Sequence, residues 1–156
     1  MIYVKKQVPH AMRMRSAAPA GGAHFWGRGC SLICLLLSTS PVFADVPVQV
    51  PSGQDVVLSE VLLDEEPGAL WVRFRFIAPQ IARDAGGVDA ETAGIDMDHL
   101  CETVAVPYIA QHDLDPARIV ISFSDRDVAF GTPDPAATQF FEIYRLENAR
   151  CSWEQF

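Results

Sequence analysis

Lysine is missing from this 156-residue chain beyond Lys6, and only seven arginines follow residue 44, against twenty carboxylates. Over Asp45 to Phe156, 112 residues, the formal charge is therefore −13, steeper than the −8 of the whole chain. No basic stripe is present, and a field of that sign repels phosphate backbones and anionic lipid surfaces, which argues against a nucleic-acid partner. The chain also lacks an apolar run of the roughly 20 residues that a membrane-spanning helix requires. There is no Gly-x-Ser-x-Gly elbow, so the commonest esterase route is closed. Paired histidines with an accompanying glutamate, a zinc-enzyme signature, are missing too. Internal repeats and low-complexity tracts do not occur. Nothing in composition or spacing names a reaction, and no cofactor is implied.

What is present is unevenly placed. Lys5, Lys6, Arg13, Arg15 and Arg28 all precede one short apolar run, Cys30 to Leu37, which Ser38-Thr39-Ser40-Pro41 then interrupts. Val42-Phe43-Ala44 sets small residues at −3 and −1 of a cut after Ala44, the pattern of a secretory signal over residues 1–44. Met12 or Met14 is an alternative start, and neither Cys30 nor Cys34 has lipobox neighbours. The expected location is periplasmic or secreted, with no stable membrane span once the signal is removed. Residues 45–55, rich in Val, Pro and Ser, read as an extended lead-in, and 56–156 as one small domain. Only Cys101 and Cys151 follow the cut, and an even count in an oxidising compartment predicts a disulfide. A loop of that length is worth about 4 kcal/mol in the chain-entropy model.

Val56 to Leu63 and Leu70 to Ile77 are β-rich runs on either side of Glu66-Pro67-Gly68-Ala69, whose central Pro-Gly suits a type II turn. Pairing Glu66 with Ala69 sets Glu60 opposite Arg75 and Val61 opposite Phe74. In that register Ser59, Val61 and Leu63 share a core face with Val72, Phe74 and Phe76, while Trp71, Arg73 and Arg75 face away. Asp89 can cap a helix whose apolar stripe is Ala93, Met97, Leu100, Cys101, Val104 and Tyr108, with Pro107 expected to kink or restart it. Arg118 to Ser124 alternates as a strand, followed by a short strand at Val128 to Phe130 and a helical turn at Asp134-Pro135. Phe140 to Leu146 and Cys151 to Phe156 form a second hairpin across Asn148-Ala149, pairing Leu146 with Cys151 and Tyr144 with Trp153. A helix through Phe140, Phe141 and Tyr144 is the competing pattern. The expected fold is α+β: an antiparallel sheet of about five or six strands, with one main helix packed on one face.

Four groupings carry possible chemistry. Asp96 and His99, three apart on the helix, can reach one metal if Glu102 or His112 supplies a third ligand; the plainer reading is a solvated helix edge. Cys101 and His99 lie about 200° apart around the axis, which rules against a thiol nucleophile. Asp125 with Asp127, and Asp113 with Asp115, fall in predicted turns, where aspartate is favoured for backbone reasons alone. Trp71, Arg73 and Arg75 form the most distinctive surface, since arginine offers a bidentate fork and tryptophan supplies contact area. Glu60 opposite Arg75 makes part of that surface a cross-strand ion pair.

Pro51-Ser52-Gly53, Trp71-Val72-Arg73-Phe74-Arg75-Phe76, Asp98-His99-Leu100-Cys101, Ile119-Val120-Ile121-Ser122, Thr138-Gln139-Phe140-Phe141-Glu142 and Cys151-Ser152-Trp153-Glu154 stand in this order along the chain. In these strings, from about Val50 onward, the chain resembles a family of unknown function made up of small exported alphaproteobacterial proteins. The resemblance implies a compartment and a single domain, not a reaction. Such relatives sometimes carry an acetolactate synthase label, which does not fit: there is no Gly-Asp-Gly metal motif, and 112 residues cannot build a thiamine-diphosphate cleft. The expected role is that of a non-catalytic binding module for a protein or envelope component. The alternative is a small extracytoplasmic hydrolase or metal-dependent enzyme using Asp96 and His99.

Overall fold

A computed structural model describes residues 5–6, 46–84 and 86–155. The expected signal, 1–44, lies outside the described residues except for Lys5–Lys6. The strands are β1 (Lys5–Lys6), β2 (Val46–Val48), β3 (Val56–Asp64), β4 (Trp71–Ile77), β5 (Arg118–Ser124), β6 (Gln139–Glu147) and β7 (Arg150–Trp153). Between β4 and β5 come a short helical turn, Pro79–Ile81, and then one main helix. That helix comprises α1 (Ala90–Leu100), a π turn (Cys101–Ala105) and α2 (Val106–Gln111). The fold is α+β, as expected.

The sheet runs β1-β3-β4-β5-β6-β7, with β2 also paired to β3. Most neighbours are antiparallel, but β1 pairs parallel with β3, and β4 and β5 are parallel, Trp71 beside Arg118 through to Ile77 beside Ser124. The sheet is thus mixed: the long connection through the helix carries the chain back to the end where β4 began, as parallel pairing demands. Val46–Val48 of the lead-in pairs antiparallel with Val56–Leu58.

In the first hairpin the register is the expected one, with Glu60 opposite Arg75 and Val61 opposite Phe74. Two local details differ. The tight turn is displaced, because the Gly68 N–H donates to the Glu65 carbonyl at 3.0 Å and Gly68 takes φ +87°, a value that favours glycine. A bulge between Leu58 and Glu60 then sends Leu58, rather than Ser59, into the core.

The helix covers one face of the sheet. Ala93, Met97, Leu100, Cys101 and Tyr108 are buried against Val61, Val72, Phe74, Phe76, Ile119, Ile121 and Phe123, while Val104 is half-buried. Phe74 meets Tyr108 edge to face at 5.3 Å, and Phe76 meets Phe123 at 5.9 Å. Each such buried side chain contributes about 1.5–3 kcal/mol by leaving water. The helix starts where Asp89 accepts the Thr92 N–H at 2.9 Å. Pro107 does not break it. The turn before it widens, Val106 N–H donating to the Cys101 carbonyl, and the helix continues to Gln111.

Phe140–Tyr144 is strand, not helix, and β6 turns into β7 through Asn148 and Ala149 at φ +52° and +59°. Two left-handed central residues match the twist of a two-residue hairpin, and the pairs Leu146–Cys151 and Tyr144–Trp153 form as expected. Cys101 and Cys151 are joined by a disulfide, Cα to Cα 6.2 Å, that staples the helix to the last strand. The expected strand at Val128–Phe130 does not form, and the expected helical turn at Asp134 is a single hydrogen-bonded turn, with the Ala137 N–H donating to the Asp134 carbonyl at 3.2 Å. Residues 125–138 are a loop whose Asp134 carboxylate accepts the Ala136 N–H at 3.0 Å, and whose buried Val128 packs against the other face of the sheet.

Candidate functional site

On the face turned from the helix, side chains of neighbouring strands stand in rows set by the register. One row is Leu62, Arg73, Val120 and Ile143; the next is Glu60, Arg75, Ser122 and Phe141. The loop over residues 125–138 arches above them and leaves a cleft of about 530 Å³ lined by Trp71, Arg73, Arg75, Ser122, Phe130 and Phe141, among others. That volume lies within the roughly 300–1,000 Å³ of clefts that take small ligands. Trp71, Arg73 and Arg75, separated by one residue each along β4, therefore do share one surface.

Their charge is more constrained than the sequence suggested. Arg75 donates from Nη1 to Glu60 at 2.7 Å and from Nη2 to the Val128 carbonyl, so it ties the loop to the sheet. Arg73 donates through Nε to Asp64 at 2.7 Å. Its guanidinium lies 5.0 Å from the Trp71 ring and 5.5 Å from that of Phe130, within reach of two π faces that favour a cation. Both guanidiniums are held in place, and the fork of Arg73 beyond Nε has no hydrogen-bond partner among the described residues. Phe130 and Phe141 remain 40% and 63% exposed at the rim. Large exposed aromatics gathered at a cleft mark an interaction surface more often than chance scatter does.

Sequence reasoning reached Trp71, Arg73 and Arg75 through alternation along β4, and missed Phe130 and Phe141. Phe141 was legible once β6 was taken as a strand; Phe130 depends on a loop fold that no local pattern dictates.

In the second grouping, Asp96 with His99, the carboxylate is committed to hydrogen bonds within the fold. Asp96 is fully buried, not on a solvated edge. Its Oδ1 accepts the Ser52 N–H at 2.9 Å, and its Oδ2 accepts from Ser52 Oγ and from Gln54 Nε2 at 2.7 Å. This carboxylate anchors the lead-in loop to the helix. Glu102 accepts from the Cys151 N–H and from Arg150 Nε, both at 3.1 Å. His112 Nδ1 contacts the Tyr108 carbonyl at 2.8 Å. Among the described residues, no three His, Cys, Asp or Glu side chains gather as a metal would require.

Asp125 is bridged by both Nε and Nη2 of Arg126, an ion pair that holds its carboxyl below the ordinary range. Tyr144 donates to Asp98 at 2.7 Å; burial, followed by that carboxylate, pushes its phenol well above the usual value. The Asp125–Arg126 pair holds no nucleophile, and the Tyr144 side chain beside Asp98 is buried, only 1% exposed.

The family of unknown function DUF6497 matches residues 35–156. The chain belongs to that family. The DUF6497 region takes in the whole cleft, the Asp96 anchor and both bridged cysteines. No curated protein and no solved structure matches the chain. Among the described residues of this DUF6497 protein, no helix is long and apolar enough to cross a membrane.

Proposed function

We propose that this protein is an exported, disulfide-stapled binding module that acts without catalysis, in the periplasm or outside the cell, on a protein or envelope component. One observation carries the reading: the cleft where Trp71, Arg73, Phe130 and Phe141 converge on the sheet face left uncovered by the helix. Aromatic and arginine side chains in one concave patch are the composition of binding hot spots. The leader-like pattern of residues 1–44 and the disulfide support the compartment. The commitment of Asp96, Glu102 and His112 to hydrogen bonds within the fold supports binding over metal-assisted hydrolysis.

Two experiments test it. N-terminal sequencing of the protein recovered from the envelope or medium should begin at Asp45; a cytosolic product with its leader attached refutes export. Crosslinking capture from the envelope fraction should lose its partners when Phe141→Ser and Phe130→Ser are combined. Unchanged capture refutes the cleft as the contact.

A further inference from the structure

We infer that the cleft recognises the C-terminal end of a partner polypeptide, with the free carboxylate held by the fork of Arg73 and an apolar last side chain against the rim aromatics. The inference rests on the binding reading above and specifies its ligand.

The argument begins with charge. Of the seven arginines after residue 44, three line this one cleft, Arg73, Arg75 and Arg126, and among the described residues Asp127 is the one carboxylate in its lining. Arg75 is spent on Glu60 and Val128, and Arg126 on Asp125. Arg73 differs. Asp64 takes its Nε and so fixes the plane, the Trp71 and Phe130 rings lie 5.0 and 5.5 Å from the guanidinium, and both Nη atoms lack partners among the described residues. An oriented, aromatic-flanked guanidinium with its fork unspent is complementary to a planar carboxylate.

The rest of the lining identifies what the carboxylate is attached to. Phe130 and Phe141 offer apolar area at the rim. Ser59, Ser122, Ser124, Thr132 and Gln139 line the same cleft, and Ser124 Oγ is buried with no partner among the described residues. An alkyl chain entering there would cover those groups without pairing them, at a cost for each. Peptide amides would pair with them. The cleft's chemistry therefore favours a peptide terminus over a fatty acid.

The experiment titrates the oxidised protein with an N-acetylated tetrapeptide ending in phenylalanine, as free acid and as C-terminal amide, and with octanoate. The free acid should bind, and amidation should weaken it about 10- to 100-fold, the range for losing a charge-assisted bidentate contact. Arg73→Lys, which keeps the charge but not the fork, should weaken the acid by a similar factor and leave the amide unchanged. Equal affinity for acid and amide, no binding of either, or octanoate binding as tightly as the peptide acid each overturns the inference. The wild-type arms do not depend on the stability of a variant. Failure here with Phe141-dependent envelope capture intact would refute the terminus while sparing the docking surface; loss of both would refute the two together.

Discussion

Replacing Asp96 by alanine should destabilise the fold by about 2–4 kcal/mol, the largest effect expected from any single carboxylate in this acidic chain. The magnitude follows from who is left behind. Ser52 is exposed, so its two donors regain water at little cost. Gln54 is only 5% exposed, and its Nε2 would face the space vacated by the carboxylate, a loss of about 1–3 kcal/mol for an orphaned buried donor. To this are added the charge-assisted bonds themselves, offset in part because the native state no longer buries an ion. Asp96→Asn should cost less than alanine: its oxygen can keep the Ser52 N–H, and its NH2 can donate to the buried, otherwise unpartnered Gln54 Oε1 once that side-chain amide turns over. The assay is urea unfolding, with a parallel thermal melt in which the midpoint should fall by about 10–15 °C. His99→Ala, on the same helix and half-buried, should stay within about 1 kcal/mol. If Asp96→Ala also falls within about 1 kcal/mol of wild type, the anchor has been misassigned.

Three further outcomes are expected. Reduction of the Cys101–Cys151 bridge should lower stability by about 4 kcal/mol, seen as an earlier urea midpoint with reductant and two newly alkylated thiols by intact mass; an unchanged midpoint would show that the helix and β7 do not need the staple. Ala149→Gly should raise stability by about 0.5–1 kcal/mol, because Ala149 sits at φ +59° where only glycine avoids the Cβ clash; a loss would mean the turn is not strained. Asp89 has its pKa lowered from an ordinary 3.8 by the Thr92 N–H it caps, so its contribution is present above that value and fades as pH falls through the depressed one. The gap between wild type and Asp89→Ala in thermal melts should therefore narrow on acidification, and a gap that widens would contradict the cap.

Features set by neighbours in the chain were legible from the sequence. Both hairpin registers follow from turn residues flanked by alternating strands, while the disulfide was legible on other grounds, the even count of two cysteines after the leader-like segment. Asp89 as a cap is likewise a local signal. Features set at long range were not. Asp96 stands between Ile95 and Met97 on an amphipathic helix, where a charged residue reads as solvent-facing, and only its meeting with Ser52 and Gln54, more than forty residues away, explains why it is buried. The parallel β4–β5 pairing rests on the route of the intervening helix, which alternation along either strand does not encode. The bulge at Ser59 inverts which side of β3 faces inward, and strict two-residue periodicity has no means of announcing it. The cleft was half visible for the same reason: β4 supplied Trp71 and Arg73 by alternation, while the loop carrying Phe130 folds according to contacts it makes only after the sheet exists.

Glu102 has a wider consequence. β7 ends the sheet on its side, and a terminal strand with idle amides is a template onto which another molecule can stack, lengthening the array into fibrils. Glu102 occupies the Cys151 amide and so blocks that growth at the midpoint of a four-residue strand. Because the block is a hydrogen bond from a backbone amide to a carboxylate while the neighbouring sulfur link is covalent, a reducing agent can sever the link and still leave the block in place. A chain that has lost its bridge should accordingly soften before it polymerises.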